Sequence, residues 1–331
     1  MTARNTPVTL AITAGDPCGV GPEVILKALT TDAVRRTRLV VIGDLAVFER
    51  TAARLHRRLP RWRVVPRGGM DRARGHALTF VECGSSRRFV PGRSSSHAGR
   101  AALTYLEEAI RLWRAGTIHG LVTAPVTKWA VAAVEPSFVG HTEYLARAMA
   151  AREVVMMFVS DAMRVVLLTR HIPLHRVGRA VTSTLLERSV RLTASALTTQ
   201  FHIRQPTLAV CGINPHAGEE GRCGREEQAV MIPALRRLRR QGIRCDGPFA
   251  ADGFFTHATR YDAIICSYHD QGLIPFKMAA RDQGCQVSLG LPIVRTSPDH
   301  GSALDIAGRG IANPGSMRYA LRLATKLAAR L

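Results

Sequence analysis

The sequence has no long apolar run and no paired cysteines, and both absences narrow the classes of protein that it can encode. No run approaches the about 18–20 apolar residues of a membrane-spanning helix, and the stretch from Val8 to Ala14 soon meets Asp16, unlike a secretory signal. The seven cysteines include no C-x-x-C pair, which disfavours a disulfide framework or a cysteine zinc site. We therefore expect a cytoplasmic chain with buried free thiols.

Lysine is also scarce, since only four of the 46 basic residues are lysines and the net charge is +21. Nine arginines lie between Arg50 and Arg74 around Trp62, a pattern that could bind nucleic acid or form a solvated basic face. No known nucleic-acid module accompanies it, so we predict no nucleic-acid partner. Because the two cations are not interchangeable, a lysine that remains in such a chain can mark a position where an ammonium group is needed.

Alternating strand-like and helix-like segments predict an α/β protein. A chain of 331 residues, 46% hydrophobic and 21% charged, is typical of a globular protein with two domains or one large α/β unit. The strand-like runs are Val8–Thr13, Arg38–Ile42, Gly120–Thr123, Val154–Ser160, Arg164–Thr169, Pro206–Gly212, Tyr261–Tyr268 and Gln286–Leu289. The helical patterns are Pro22–Leu29, Ala98–Ala115, Thr182–Phe201, Arg225–Gln241 and Gly315–Leu331. This alternation favours a mostly parallel, doubly wound architecture.

Three histidines follow three of these predicted strands. His171, His216 and His269 each lie just beyond the carboxyl end of a run. Ligands of open α/β sheets bind at that edge, and three imidazoles there would suit a catalytic metal that keeps one position open. Asp270 and Asp252 lie near the same edge, where each could orient an imidazole, bind the metal, accept a hydroxyl proton, or simply cap a helix.

Other residues suggest an anion site. Thr142 follows Gly140-His141 before a helical pattern, so free amide groups of a helix N-terminus could face an anion beside His141; an ordinary capped helix is the alternative. Lys277 and Arg295 end apolar runs. Lys128 and Lys277 could each hold a phosphate or carboxylate, or act in proton transfer. The glycine-rich stretch from Gly15 is not a dinucleotide fingerprint, because valine stands at position 24.

Motifs along most of the chain resemble those of the 4-hydroxythreonine-4-phosphate dehydrogenase family of vitamin B6 biosynthesis. They are G-D-P-C-G-V-G-P-E-V, A-P-V-T-K, G-H-T-E-Y-L-A, R-H-I-P-L, G-I-N-P-H-A-G-E, Y-H-D-Q-G-L-I-P-F-K and L-G-L-P-I-V-R-T-S-P-D-H-G-S-A-L-D-I-A-G-R-G. The last is also similar to the nucleotide loop of isopropylmalate and isocitrate dehydrogenases. The resemblance implies a homodimer of two-domain α/β/α chains with an active-site cleft between the domains. It also implies domain 1 at residues 1–128 plus 296–331 and domain 2 at 129–295.

The resemblance also assigns roles to residues. It implies that His171, His216 and His269 hold one divalent ion (Zn, Mg or Co), one of them coming from the partner subunit. The other implied roles are substrate binding by His141, Thr142, Lys277, Gln286 and Arg295, catalysis by Asp252, Asp270 and Lys277, and NAD or NADP binding by Asp299, His300, Gly301 and Asp305.

The implied reaction oxidises 4-phosphooxy-L-threonine, and loss of CO2 then gives 3-amino-2-oxopropyl phosphate. Gln286 stands where the family usually has asparagine, and Cys18 and Thr127 also depart from its pattern. Alternative substrates are therefore other four-carbon phosphorylated acids, such as threonate or erythronate 4-phosphate, or cyclic dihydrodiol carboxylates. The alternative of a different class is a basic nucleic-acid-binding protein.

Overall fold

The computed structural model describes residues 7–29, 37–73, 75–84 and 89–330. Two compact units make up the chain, Met1–Arg152 with Leu291–Leu331 and Glu153–Gly290. The predicted division, at 128/129 and 295/296, differs from these bounds. Residues 129–152 belong to unit 1, where the helix Lys128–Ala132 packs on the helix Ser96–Arg114. Residues 291–295 lead into a strand of the unit 1 sheet.

The sheet of unit 1 is parallel. Its described strands are β1 (Thr9–Thr13), β2 (Arg38–Gly43), β3 (Arg63–Pro66), β4 (Leu78–Glu82), β5 (Gly120–Thr123) and β12 (Val294–Pro298), in the order β3-β4-β2-β1-β5-β12. Each pair of neighbours is parallel. The central strand β1 is buried along its whole length, as expected of a strand covered on both faces.

Six α-helices are described in unit 1. They are α1 (Gly21–Ala28), α2 (Leu45–Arg54), α3 (Ser96–Arg114), α4 (Lys128–Ala132), α5 (His141–Ala148) and α11 (Gly315–Ala328), with a short 3-10 turn at Met70–Ala73. The hydroxyl of Ser95 caps α3 by accepting a hydrogen bond from the Ala98 amide at 3.3 Å. Helix α3 packs on β1 and β2, whereas α11 packs on β5 and β12.

Unit 2 has a mixed sheet. Its described strands are β6 (Val155–Ser160), β7 (Arg164–Leu167), β8 (Thr207–Cys211), β9 (Arg244–Phe249), β10 (Ala263–Cys266) and β11 (Gly284–Leu289), in the order β11-β6-β7-β10-β8-β9. The pairs β11/β6 and β6/β7 are antiparallel, and the others are parallel. Strands β7, β10 and β8 are therefore parallel neighbours, and their carboxyl ends lie at one edge.

The α-helices of unit 2 are α6 (Val177–Ala180), α7 (Ser183–Thr199), α8 (Ile232–Arg240), α9 (Ala251–Phe254) and α10 (His269–Ala280). 3-10 turns cover Leu174–Arg176 and Phe255–Arg260, a loop with left-handed backbone angles covers Pro215–Gly221, and a π turn covers Glu227–Met231. The hydroxyl of Thr182 caps α7 by accepting from the Leu185 amide at 3.2 Å. Among the described residues, no helix is both long and apolar enough to cross a bilayer.

The predicted fold class, two α/β units with mostly parallel sheets, is confirmed. All eight predicted strands are present, but β3, β4, β9 and β12 were missed. The helices α2 and α10 and the short helices α4, α6 and α9 were missed as well. The helix predicted over Arg225–Gln241 divides into the π turn and α8. Strand β3 was overlooked because it is short, exposed and lies inside the arginine-rich stretch. Arg74 of that stretch and residue 331 lie outside the described residues.

Candidate active-site residues

Two of the three predicted metal ligands meet at the carboxyl edge of the unit 2 sheet. His171 follows β7 and His269 begins α10 directly after β10. Their ring centroids are 5.8 Å apart and their planes differ by 44°. Nitrogen–zinc bonds are about 2.0–2.1 Å long, so one ion could contact both rings at this separation.

The neighbouring carboxylate fixes one of these rings. Nδ1 of His269 lies 2.6 Å from Oδ1 of Asp270, which leaves Nε2 of His269 as the nitrogen available to a ligand. Asp270 therefore contacts the imidazole of His269, and it also stands in the first turn of α10. Asp252 lies on α9, and both carboxylates line one cavity of about 360 Å³ together with Tyr268 and Met278.

His216 is carried by the loop after β8. This residue and its neighbours have left-handed backbone angles, with φ of 52° at His216 and 53° at Ala217. Within the described part of a single chain, no three His, Cys, Asp or Glu side chains converge closely enough to hold an ion. One chain thus brings His171 and His269 together without completing a three-ligand set.

The predicted anion residues of unit 1 form a cluster around the N-terminus of α5. Arg295 on β12 is only 2% exposed, and its guanidinium donates to Thr123 Oγ1 at 2.6 Å and to Thr142 Oγ1 at 3.5 Å. Burial, and then the positive charges of Arg295 and Lys128, holds the pKa of His141 well below its usual range. His141 is therefore a neutral imidazole beside two cations.

Lys128 adds an ammonium group to this cluster. Lys128 begins α4 and lies near Gly140, the residue just before α5. Its Cε would be 3.8 Å from a Cβ built on Gly140. The described residues give neither Lys128 nor the ring nitrogens of His141 a hydrogen-bond partner or an ion pair. The cluster therefore offers two uncommitted groups to an anion.

The remaining predicted substrate residues lie in unit 2. Lys277 is exposed on α10. Gln286 lies buried on β11, and its Nε2 donates to Ser288 Oγ at 3.1 Å.

The predicted cofactor residues lie between β12 and α11. Asp299 is anchored to the start of α11, because its amide donates to Ser316 Oγ at 3.0 Å and its Oδ1 accepts from the same hydroxyl at 2.8 Å. Nδ1 of His300 lies 2.9 Å from the carbonyl oxygen of Gly301. A Cβ built on Gly301 would meet no atom within 4 Å, and Asp305 is exposed. A ligand could therefore approach this loop at Gly301 and Asp305.

Sequence reasoning missed the contacts that hold this loop. The ammonium of Lys27 donates to Glu23 Oε1 at 2.7 Å and to the carbonyl oxygens of Gly310 and Ala312 at 2.9 and 2.8 Å. Glu23 Oε1 also accepts from the Ala312 amide at 2.9 Å. The only available signal was the scarcity of lysine, which marks Lys27 as well as Lys128 and Lys277.

The arginine-rich stretch has a structural core. The Trp62 ring packs against Phe80 and Phe48, with centroid distances of 4.7 and 5.8 Å. Its arginines are mostly exposed, and Arg67 lies 3.5 Å from both Glu107 and Glu108. These contacts favour the solvated basic face over a surface on which bases stack.

Comparisons with known proteins agree over nearly the whole chain. Residues 35–324 match the family described as pyridoxal phosphate biosynthetic protein PdxA. The 4-hydroxythreonine-4-phosphate dehydrogenase of Erythrobacter litoralis is 42% identical over 326 residues, which cover 97% of each chain.

Solved structures show the same likeness. A crystal structure of 4-hydroxythreonine-4-phosphate dehydrogenase from Klebsiella pneumoniae has a TM-score of 0.85 at 30% identity, over 98% of this chain and 99% of that one. A terephthalate 1,2-cis-dihydrodiol dehydrogenase from Burkholderia xenovorans has a TM-score of 0.64 at 31% identity, over 97% and 98%. The chain therefore belongs to the family of the pyridoxal phosphate biosynthetic protein PdxA.

Proposed function

We propose that the chain is a 4-hydroxythreonine-4-phosphate dehydrogenase, which oxidises 4-phosphooxy-L-threonine with NAD or NADP and releases CO2 to give 3-amino-2-oxopropyl phosphate. The observation that carries the proposal is the 42% identity to such an enzyme over 97% of both chains. The pairing of His171 with His269 at the edge of the unit 2 sheet supports it from the structure. As an enzyme of pyridoxal phosphate biosynthesis, it would work in the cytoplasm.

The three histidines would hold a divalent ion. The donor chemistry fits such a group, because the two rings that meet are 5.8 Å apart and Asp270 holds Nδ1 of His269, so that Nε2 points elsewhere. Imidazole suits zinc or cobalt better than magnesium, which prefers oxygen ligands. When bound, the ion supplies Lewis acidity, which lowers the pKa of a hydroxyl and stabilises negative charge on oxygen.

The third ligand is proposed to come from a second copy of the chain. The set is incomplete among the described residues of one chain. Helix α10, which begins at His269, also exposes Ile274 (58%) and Met278 (76%), as expected of a face covered by a partner. Met278→Asp should make the protein monomeric in light scattering and remove its metal, a result that would support this assignment. A Met278→Asp protein that stays dimeric with full metal content would contradict it.

The chain's polar side chains would bind and orient the anionic substrate. A phosphate would suit the positive charges of Arg295 and Lys128 and the amide groups at the start of α5. The neutral imidazole of His141 can donate a hydrogen bond to it. Lys277 is proposed to hold the other anionic end, the carboxylate, and Gln286 to contact substrate. Asp252, exposed in the cavity that it shares with Asp270, is the candidate acceptor of the hydroxyl proton.

Asp305 and Gly301 would bind the nucleotide. An exposed carboxylate can accept hydrogen bonds from ribose hydroxyls, and Gly301 leaves room for close approach. Asp299 and His300 would support the loop. The nicotinamide supplies the hydride acceptor.

A second candidate is a dehydrogenase of another acid, such as threonate or erythronate 4-phosphate. The likeness to a terephthalate dihydrodiol dehydrogenase shows that relatives of this fold act on different substrates, and Gln286 departs from the expected asparagine. NAD(P)H formation should be measured with each acid, with and without Zn²⁺ or Co²⁺. Preference for the threonine derivative supports the first candidate, and preference for a sugar acid supports the second.

A further inference from the structure

The loop that carries His216 has a strained backbone. His216, Ala217, Glu219 and Glu220 have φ values of 52°, 53°, 42° and 55°, with Gly218 at 84° between them. Left-handed angles are unfavourable at residues other than glycine and persist only where surrounding contacts enforce them. Some other part of the chain must therefore hold this loop.

A single buried carboxylate makes many of the contacts that do so. Glu227 is 1% exposed and begins the π turn that follows the loop. Its Oε1 accepts hydrogen bonds from the amides of Ile213 and Asn214 at 2.7 and 2.8 Å, and its Oε2 accepts from Asn214 Nδ2 at 2.9 Å. Three donors from residues just before His216 thus converge on Glu227.

The same carboxylate also contacts the far side of the loop. A Cβ built on Gly218 would lie 2.8 Å from Glu227 Oε2, and one on Gly212 would lie 3.1 Å from Oε1. The Glu227 carboxylate therefore lies close to the chain on both sides of His216. Its neighbour Glu226 assists by accepting from Asn214 Nδ2 at 2.8 Å, a bond that lowers the pKa of Glu226.

We propose that Glu227 is a positioning residue that holds His216 in its ligand conformation and thereby sets the affinity of the protein for its divalent ion. This inference rests on the proposed function, because it takes His216 to be a metal ligand. Glu227 itself does not bind the ion. It acts through the loop, which it fixes before the ion arrives.

The donors around Glu227 make Glu227→Gln a sharp test. An amide has one accepting oxygen, whereas the site has donors facing both oxygens. In one orientation the introduced amide oxygen accepts from the two backbone N–H groups, and the introduced NH2 group then faces the NH2 group of Asn214. In the flipped orientation the introduced NH2 group faces the two backbone N–H groups.

The experiment measures Zn²⁺ and Co²⁺ affinity of the full-length dimer by titration of metal-free protein. Glu227→Gln should weaken binding about 10–100-fold, as the loss of groups that orient metal ligands commonly does, and amides of residues 213–220 should exchange hydrogen faster before metal is added. Glu153→Gln, which removes only an exposed ion pair with Arg188, is the matched control and should change affinity by less than about twofold. The visible spectrum of bound Co²⁺ should change for Glu227→Gln alone.

The outcomes separate the two proposals. Wild-type protein that binds no divalent ion would refute the proposed metal site and this inference together. Wild-type protein that binds the ion while Glu227→Gln binds it equally tightly would refute the inference alone. Should Glu227→Gln fail to fold, Asn214→Ala, which removes one donor and keeps the carboxylate, must weaken binding by several-fold or the inference is wrong.

Discussion

Replacement of Lys27 by methionine should destabilise unit 1 more than any exposed lysine substitution can. The ammonium makes three hydrogen bonds of 2.7–2.9 Å, to Glu23 and to two carbonyl oxygens of the loop before α11. The Lys27 and Glu23 side chains are only 15% and 3% exposed. Methionine preserves the length of the side chain but leaves the Glu23 carboxylate buried without its cation.

The magnitude follows from this burial. Removal of one partner of a buried ion pair costs about 3–5 kcal/mol, because the remaining charge stays desolvated. For a unit of this size, 1 kcal/mol corresponds to a shift of about 2–4 °C in Tm, so the expected fall is roughly 6–20 °C. Loosening of the Gly310–Ala312 segment should also raise the KM for NAD or NADP.

Calorimetry of the full chain can check this expectation. Lys326→Met, on the exposed face of α11, is the control and should change stability by no more than about 0.5 kcal/mol. Adding Glu23→Gln to Lys27→Met should recover part of the loss, since the amide oxygen can still accept from the Ala312 amide without a buried charge. If Lys27→Met unfolds at the same temperature as Lys326→Met, the buried pair does not hold the loop and the reasoning fails.

Three further predictions concern other parts of the chain. Burial, and after it the charge of Asp16, raises the pKa of Cys18 to about 12. Iodoacetamide at pH 8 should therefore label exposed Cys223 and spare Cys18. Equal labelling of the two cysteines in a mass spectrum would contradict this. The pKa of His141 is lowered in the folded chain, so below pH about 6.5 the unfolded chain binds a proton there and the folded chain does not. The free energy of unfolding should therefore decrease as pH drops. In denaturant titrations, His141→Gln should show a smaller decrease. Trp62→Ala should cost about 2–4 kcal/mol in the same titrations, through lost packing against two rings, whereas a nucleic-acid-binding role would predict unchanged stability and weaker DNA binding.

Much of the architecture could be predicted because buried parallel strands leave a direct pattern in the sequence. Runs such as Arg38–Ile42 and Gly120–Thr123 are mostly apolar on consecutive positions, and the structure places strands there. Because parallel strands end at one edge of a sheet, we predicted that His171 and His269 would be neighbours, and their rings do meet. The short edge strand β3 and the polar strand β9 lack such a pattern, so they were missed.

The contacts that hold functional loops could not be predicted from the sequence. Lys27 and its carbonyl partners are more than 280 residues apart along the chain, and no local pattern connects them. The left-handed backbone at His216 departs from the preferences of residues other than glycine, and no local pattern reveals the hydrogen bonds that Ile213 and Asn214, just before it, donate to Glu227. Arg295 was seen as a cation at a strand end, whereas it lies buried within β12.

The most direct test of the central claim is the metal-dependent turnover of 4-phosphooxy-L-threonine by metal-free protein to which Zn²⁺ or Co²⁺ is returned. The wild-type chain should form NAD(P)H only after an ion is added, and His216→Ala should neither bind the ion nor recover activity while it remains folded. Full turnover by metal-free protein, or by His216→Ala without bound metal, would contradict the account.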